Sequence, residues 1–213
     1  MGARMAPEPD AHAYYVLGVL FGVLTFSLID RSILSILLES IKQDLQVSDT
    51  AMGFLTGLAF ALFNAIAGIS LARLADRDSR RTIIALGLAA WSILTAVQGA
   101  ARAFGLLALA RVGVGVGEAT TGPSAHSLIS DYFRPERRAT AIAVYTLGGH
   151  LGVLLGLALG GWLNDLLAGS LGDEAVRYSL FVLVPTNLWG AAHGFLGARS
   201  LPRDLANAAA RDT

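Results

Sequence analysis

Apolar and polar positions along this chain fall into long blocks, without the short periods of a water-facing helix or strand. Six blocks reach the roughly 20 mostly apolar residues that a helix needs to cross a bilayer: 14–38, 51–71, 82–101, 106–129, 139–163 and 178–197. Short polar connectors separate them, at 39–50, 72–81, 102–105, 130–138 and 164–177. The pattern predicts an all-α membrane protein, a six-helix bundle over 14–197 between polar tails at 1–13 and 198–213. The first block is too long for the apolar region of a signal peptide, carries Asp30 and Arg31 and lacks a small-residue cleavage site, so it reads as a span.

Composition agrees and excludes other classes. Charged residues make up 15% of the chain, against roughly 25% in soluble domains, and mean hydropathy is +0.58. Such a chain cannot clothe a water-facing surface, and its zero net charge gives no field for a nucleic acid. The absence of cysteine removes disulfides and thiolate metal sites, and no cofactor is expected. The cations orient the bundle. With the N-terminus in the cytoplasm, Arg4, Arg73, Arg77, Arg80, Arg81, Arg134, Arg137, Arg138, Arg199, Arg203 and Arg211 lie inside, and only Lys42, Arg102 and Arg177 outside. That bias follows the positive-inside rule, and an even number of spans returns the C-terminus to the cytoplasm.

Ionisable groups inside spans are the candidate chemistry, because each costs at least a few kcal/mol unless it faces a cavity or a partner. The first span holds Asp30 and Arg31, the fourth Arg111 and Glu118, the fifth His150 and the sixth His193. At about 1.5 Å per residue, Asp30 sits about 12 Å and Arg111 about 8 Å from the outer end of its span, so the two can meet. Arg111 and Glu118 are two helical turns apart and share a face with Gly115. One cluster of Asp30, Arg111 and Glu118 is therefore expected, either as a buried ion pair joining two helices or as a proton-titrating site on a substrate path. Arg31 either joins that site or snorkels to the outer interface. His150 either titrates or is a neutral, hydrogen-bonded ring, and His126 and His193 read as interfacial. In the fifth span Gly148, Gly152, Gly156 and Gly160 recur every four residues, widened by Gly149 and Gly161. Such a ridge suits close helix approach, either within the bundle or against a second bundle.

Two inner connectors mix acids with arginines: Asp76, Arg77, Arg80 and Arg81 in one, Asp131, Arg134, Glu136, Arg137 and Arg138 in the other. Ion pairs between the two loops would make a cytoplasmic gate. Here the chain resembles the N-terminal half of a major facilitator superfamily transporter. The family pattern G-x-L-A-D-R-x-G-R-R is matched by Leu74, Ala75, Asp76, Arg77, Arg80 and Arg81, with Ala72 and Ser79 at the two glycine positions. R-x-x-x-G-x-G is matched by Arg111, Gly115 and Gly117. G-x-x-x-G-P-x-x-G-G is matched by Gly152, Gly156, Gly160 and Gly161, with Leu157 at the proline position. The Asp30-Arg31 pair, the run from Arg111 to Ala119, Pro123 and the Asp131-Tyr132-Phe133 segment resemble the spinster-like lipid transporters. The resemblance covers about residues 14–200. It implies a 3+3 inverted-repeat half of a twelve-span fold, in the cytoplasmic membrane of a bacterium. It also implies proton-coupled movement of a small organic or lysolipid-like amphiphile through Asp30, Arg111 and Glu118.

The expected partners are the bilayer, protons, a small or amphiphilic substrate, and a second six-helix half or a second copy of the chain. A lone bundle would leave the charges at a poorly closed cleft, and the 148–160 glycine ridge is a candidate seam for the covering unit. An inert or regulatory half is the alternative. A six-span channel is disfavoured because no Asn-Pro-Ala half-helix occurs and Pro185 reads as a kink. A membrane hydrolase is disfavoured because Ser124 and His126 are only two residues apart, on different helix faces.

Overall fold

The computed structural model describes residues 11–75 and 80–172 and the single positions 175, 178, 181, 185 and 192. The elements are α1 (Ala11–Ile36), α2 (Leu38–Leu45), α3 (Asp49–Gly53), a π-helical turn (Phe54–Ala59), α4 (Phe60–Ala75), α5 (Arg80–Ala100), α6 (Phe104–Glu118), α7 (Thr121–Tyr132) and α8 (Pro135–Leu171). The described fold is all-α, and four helical runs are long and apolar enough to span a membrane: Ala11–Ile36, Asp49–Leu71, Ile83–Ala100 and Pro135–Leu171. The predicted sixth span and His193 lie outside the described residues, apart from single helical positions such as Tyr178 and Pro185.

Three expectations need correction. The predicted fourth span is not one straight helix: it divides at Ala119–Thr120 into α6 and α7. Pro123 is the reason, since its ring opposes the carbonyl of Ala119 and it has no N–H to donate there. The kink is tightened by Thr120 N–H donating to the Gly117 carbonyl at 3.3 Å. The Thr120 and Thr121 hydroxyls donate to the Gly117 and Glu118 carbonyls, each at 2.8 Å. Second, the connector at 39–50 is not merely a polar loop. It holds α2, whose Ile41 is buried against Leu37, Met52 and Leu55. Third, the fifth span runs past its predicted ends to Leu171, so much of the predicted 164–177 connector is helical.

Glycines set the packing. An added Cβ at Gly148 would meet Phe21, at Gly152 Thr25 and Leu28, at Gly156 Ile29 and Ser32, and at Gly160 Ile33 and Ile36. Because both sets of numbers rise together, α1 and α8 run parallel, backbone against backbone. The ridge is therefore covered by α1 inside the bundle, which corrects its candidacy as a seam for a second unit. Gly161, by contrast, meets nothing among the described residues and is not part of the contact with α1. Gly117 approaches Gly87 and Trp91 while Gly113 approaches Leu94, so α5 and α6 are antiparallel. Phe60 meets Gly115 and Gly68 meets Ala119, so α4 and α6 are parallel. Neighbouring spans thus alternate in direction, as the connectors predict.

The buried apolar residues form two clusters. One gathers Leu17, Leu20, Phe60, Leu88, Trp91, Val114 and Tyr145, the other Ile29, Ile33, Leu37, Met52, Leu55 and Leu107. The ionisable residues of α1 and α6 sit where the two meet.

Candidate functional site

Three helix faces converge at that junction. On α1, Ser27 and Arg31 are one turn apart and Asp30 lies beside them; on α6, Arg111, Gly115 and Glu118 follow at helical spacing. On the α4 side, Phe60 and Asn64 are again one turn apart. The Asn64 side-chain amide donates to the Gly115 carbonyl at 2.8 Å and ties α4 to α6.

The charges form two pairs. In the outer pair the Arg31 guanidinium clasps Glu118 with both Nε and Nη2: Nε lies 3.1 and 3.0 Å from Oε1 and Oε2, and Nη2 lies 2.7 Å from Oε2. The Ser27 hydroxyl donates to Glu118 Oε1. The Glu118 side chain is 2% exposed and that of Arg31 is 38% exposed. In the inner pair Arg111 Nη1 lies 3.9 Å from Asp30 Oδ2, with side chains 4% and 2% exposed. That separation is a charge contact and not a hydrogen bond. Trp91 Nε1–H donates to the same Asp30 oxygen at 3.4 Å. Arg111 Nε and Nη1 are buried with no hydrogen-bond partner among the described residues.

One aromatic ring touches both cations. The Arg31 guanidinium carbon stands 4.6 Å, and that of Arg111 4.4 Å, over the Phe60 ring centroid. The glycines of the fourth span make room for the rings at the charges. A Cβ at Gly115 would come within 3.2 Å of the Phe60 ring, and one at Gly117 within 3.0 Å of Trp91.

A cleft of about 530 Å³ opens on the outer pair. Its polar patch is Ser27, Arg31, Asn64 and Glu118, and its apolar wall includes Leu24, Leu28, Ile69, Pro123 and Tyr145. Leu24 precedes the patch on α1, whereas Ile69 and Pro123 follow it on helices running the other way. The cleft therefore extends from the charges toward the end of the bundle that holds the α1 N-terminus. Asp30 and Arg111 are not in its lining.

The predicted residues are placed unevenly. Asp30, Arg111 and Glu118 are brought to one junction, but Arg31, not Arg111, holds Glu118, so Arg31 does not snorkel. His150 does not join them: it is exposed, with Nδ1 3.1 Å from the Thr146 carbonyl of its own helix. His126 sits edge-on to Tyr145, ring centroids 5.5 Å apart. Of the loop gate, Asp76 and Arg77 lie outside the described residues, and only the helical backbone of Arg80 and Arg81 is described. Arg138 turns inward within its own connector, donating to the Phe133 and Ser130 carbonyls at 2.9 Å and closing the end of α7. Asp131 is exposed and Arg134 half-buried. Ser27, Phe60, Asn64 and Trp91 carry no charge: Ser27 lies one turn before Arg31, whereas Phe60, Asn64 and Trp91 stand on α4 and α5, which hold none of the four clustered charges.

The Major Facilitator Superfamily model matches residues 20–211. The chain belongs to this superfamily. Its facilitator relatives include an MFS-type efflux pump of Mycolicibacterium smegmatis, 41% identical over 75% of this chain and 36% of the pump. The puromycin resistance protein pur8 of Streptomyces alboniger is 33% identical over 92% of this chain and 37% of that protein. A crystal structure of a bacterial homologue of the human lysosomal transporter Spinster, inward-facing and unoccupied, superposes with a TM-score of 0.78. It is 32% identical and covers 92% of this chain and 44% of that one. The occupied inward-facing form gives 0.79 at 33% identity, covering 88% and 44%. The chain thus spans less than half the length of these facilitators. Membership makes it an integral membrane protein with the fold of half a facilitator, and a member of a transporter family, not an enzyme family.

Proposed function

We propose that this chain is the N-terminal, six-span, 3+3 inverted-repeat half of a proton-coupled secondary transporter, with both termini cytoplasmic. It moves a small amphiphilic or lipid-like solute by alternating access. The observation that carries the reading is the pairing of two buried carboxylates with two arginines, one pair at the head of a cleft and the other sealed behind it. Buried acids in spanning helices are retained where protons or substrates act on them. The cleft has a charged head and an apolar wall, which suits an amphiphile with a polar head group. Its direction, toward the α1 N-terminus, agrees with the inward-facing state of the superposed structures. Proton uptake at Glu118 would release Arg31 into the cleft, where it meets the head group of the solute; the Asp30–Arg111 pair behind it takes part in the same exchange. A second six-span unit, another chain or a second copy, supplies the opposite wall.

The test is substrate-driven proton movement in proteoliposomes that hold the chain with its completing unit, using a lysophospholipid as the probe. Wild type should move protons when lysophospholipid is added, and Glu118→Gln and Asp30→Asn should not, at equal expression. Undiminished proton movement in both variants would refute the reading.

A further inference from the structure

We propose that Phe60 is a positioning residue of the charge cluster, a shared aromatic platform that holds the Arg31 and Arg111 guanidiniums in their two separate pairs. The proposal rests on the reading of the cluster as the working site. Like charges brought to one junction repel, and the repulsion is screened least at Arg111, whose side chain is sealed from solvent. Bidentate contact with Glu118 satisfies Arg31. Arg111 is not so placed: its Nε and Nη1 have no hydrogen-bond partner among the described residues, and Asp30 stands 3.9 Å away. The group over which its guanidinium lies is the face of Phe60, 4.4 Å from the ring centroid. The negative quadrupole of an aromatic face attracts a guanidinium most strongly where water is excluded, and the ring is itself buried. The same ring serves Arg31 at 4.6 Å.

The backbone supports this placement. Phe60 is the first residue after the π-helical turn Phe54–Ala59. A π turn carries one residue more than an α turn and so offsets everything after it by about 100° around the axis. Without that offset the ring would leave the arginines. Gly115 leaves the space the ring fills, since a Cβ there would stand within 3.2 Å of it.

The experiment replaces Phe60 in the full chain with mono-, di- and trifluorophenylalanine and reads the thermal midpoint in detergent. Fluorine withdraws charge from the ring face yet leaves the side chain slightly larger and more apolar. A cation platform therefore predicts a midpoint that falls with each fluorine, and a packing role predicts a flat or rising series. The fall should shrink when the inner pair is removed together in Asp30→Asn/Arg111→Met, and again in Arg31→Met/Glu118→Gln. A flat series overturns the proposal, as does a fall that is the same in all three backgrounds. Since the series needs no transport, its failure is distinct from failure of the functional reading, which would show as wild-type proteoliposomes that move no protons.

Discussion

The outer and inner ion pairs sit side by side on the same two helices, yet they are built differently. Glu118 receives three contacts from Arg31 and one from Ser27, and its partner reaches into the cleft. Asp30 is held by Trp91 and by an arginine just beyond hydrogen-bond range, and both partners are sealed. A pair with good geometry beside a cleft can open and re-form as a ligand or proton arrives. A sealed, loosely matched pair depends on its surroundings, because removing one partner strands the other in a medium that cannot solvate it. Burial and pairing quality need not coincide within one site: here the better-bonded pair is the more accessible one.

The largest effect should come from breaking the inner pair. Arg111→Ala leaves Asp30 buried without a cation and should destabilise the chain by about 3–5 kcal/mol, read as loss of the monodisperse peak in detergent. The double variant Asp30→Asn/Arg111→Met should recover it. Next, Gly156→Leu forces a side chain against Ile29 and Ser32, which flank Asp30 and Arg31. Overpacking of about 1–3 kcal/mol or more should disturb both pairs, seen as a lower thermal midpoint, whereas Gly161→Leu, which meets nothing on α1, should leave the pairs intact. Glu118→Gln keeps an acceptor for Ser27 but loses the charge for Arg31; the thermal cost should be about 1–3 kcal/mol, smaller than that of Arg111→Ala, with transport lost.

The smallest effect should come from a third set of charges, at the surface where α2 meets α3. Lys42 Nζ lies 2.8 Å from both Glu39 Oε2 and Asp49 Oδ1. Hydrogen bonding from Lys42 lowers the Glu39 pKa below its ordinary value. The contribution to stability is therefore present above the unfolded carboxylate pKa and lost as pH falls through the lower, folded one. Lys42→Met should leave the midpoint at neutral pH nearly unchanged and flatten this acid limb, measured as thermal midpoint against pH.

The sequence pattern gives the four long apolar runs seen among the described residues, their alternation and all four charged residues of the junction, with Arg31 left between the site and the interface, because length, hydropathy and the cost of a buried charge are local properties of the chain. It does not give the pairing. Asp30 and Arg31 are adjacent, and one residue of rotation about α1 decides which of them meets Glu118; that angle is set by the Gly148–Gly160 ridge on α8, far away in the chain. Phe60 and Trp91 look like any other apolar residue of a span, and only the glycines opposite them, Gly115 and Gly117, hint that a ring is seated there. The division of the fourth span was legible in Pro123, whose effect falls four residues upstream at Ala119. The partner of the glycine ridge was not legible, since close packing against α1 and against another unit leaves the same stripe.

The two-layer site is tested most directly by arginine modification with phenylglyoxal, mapped by mass spectrometry on the intact chain in detergent. Arg31 should be modified, Glu118→Gln should speed its modification by freeing it, and Arg111 should stay unmodified in both proteins. Equal modification of Arg31 and Arg111 in the wild-type chain would contradict it.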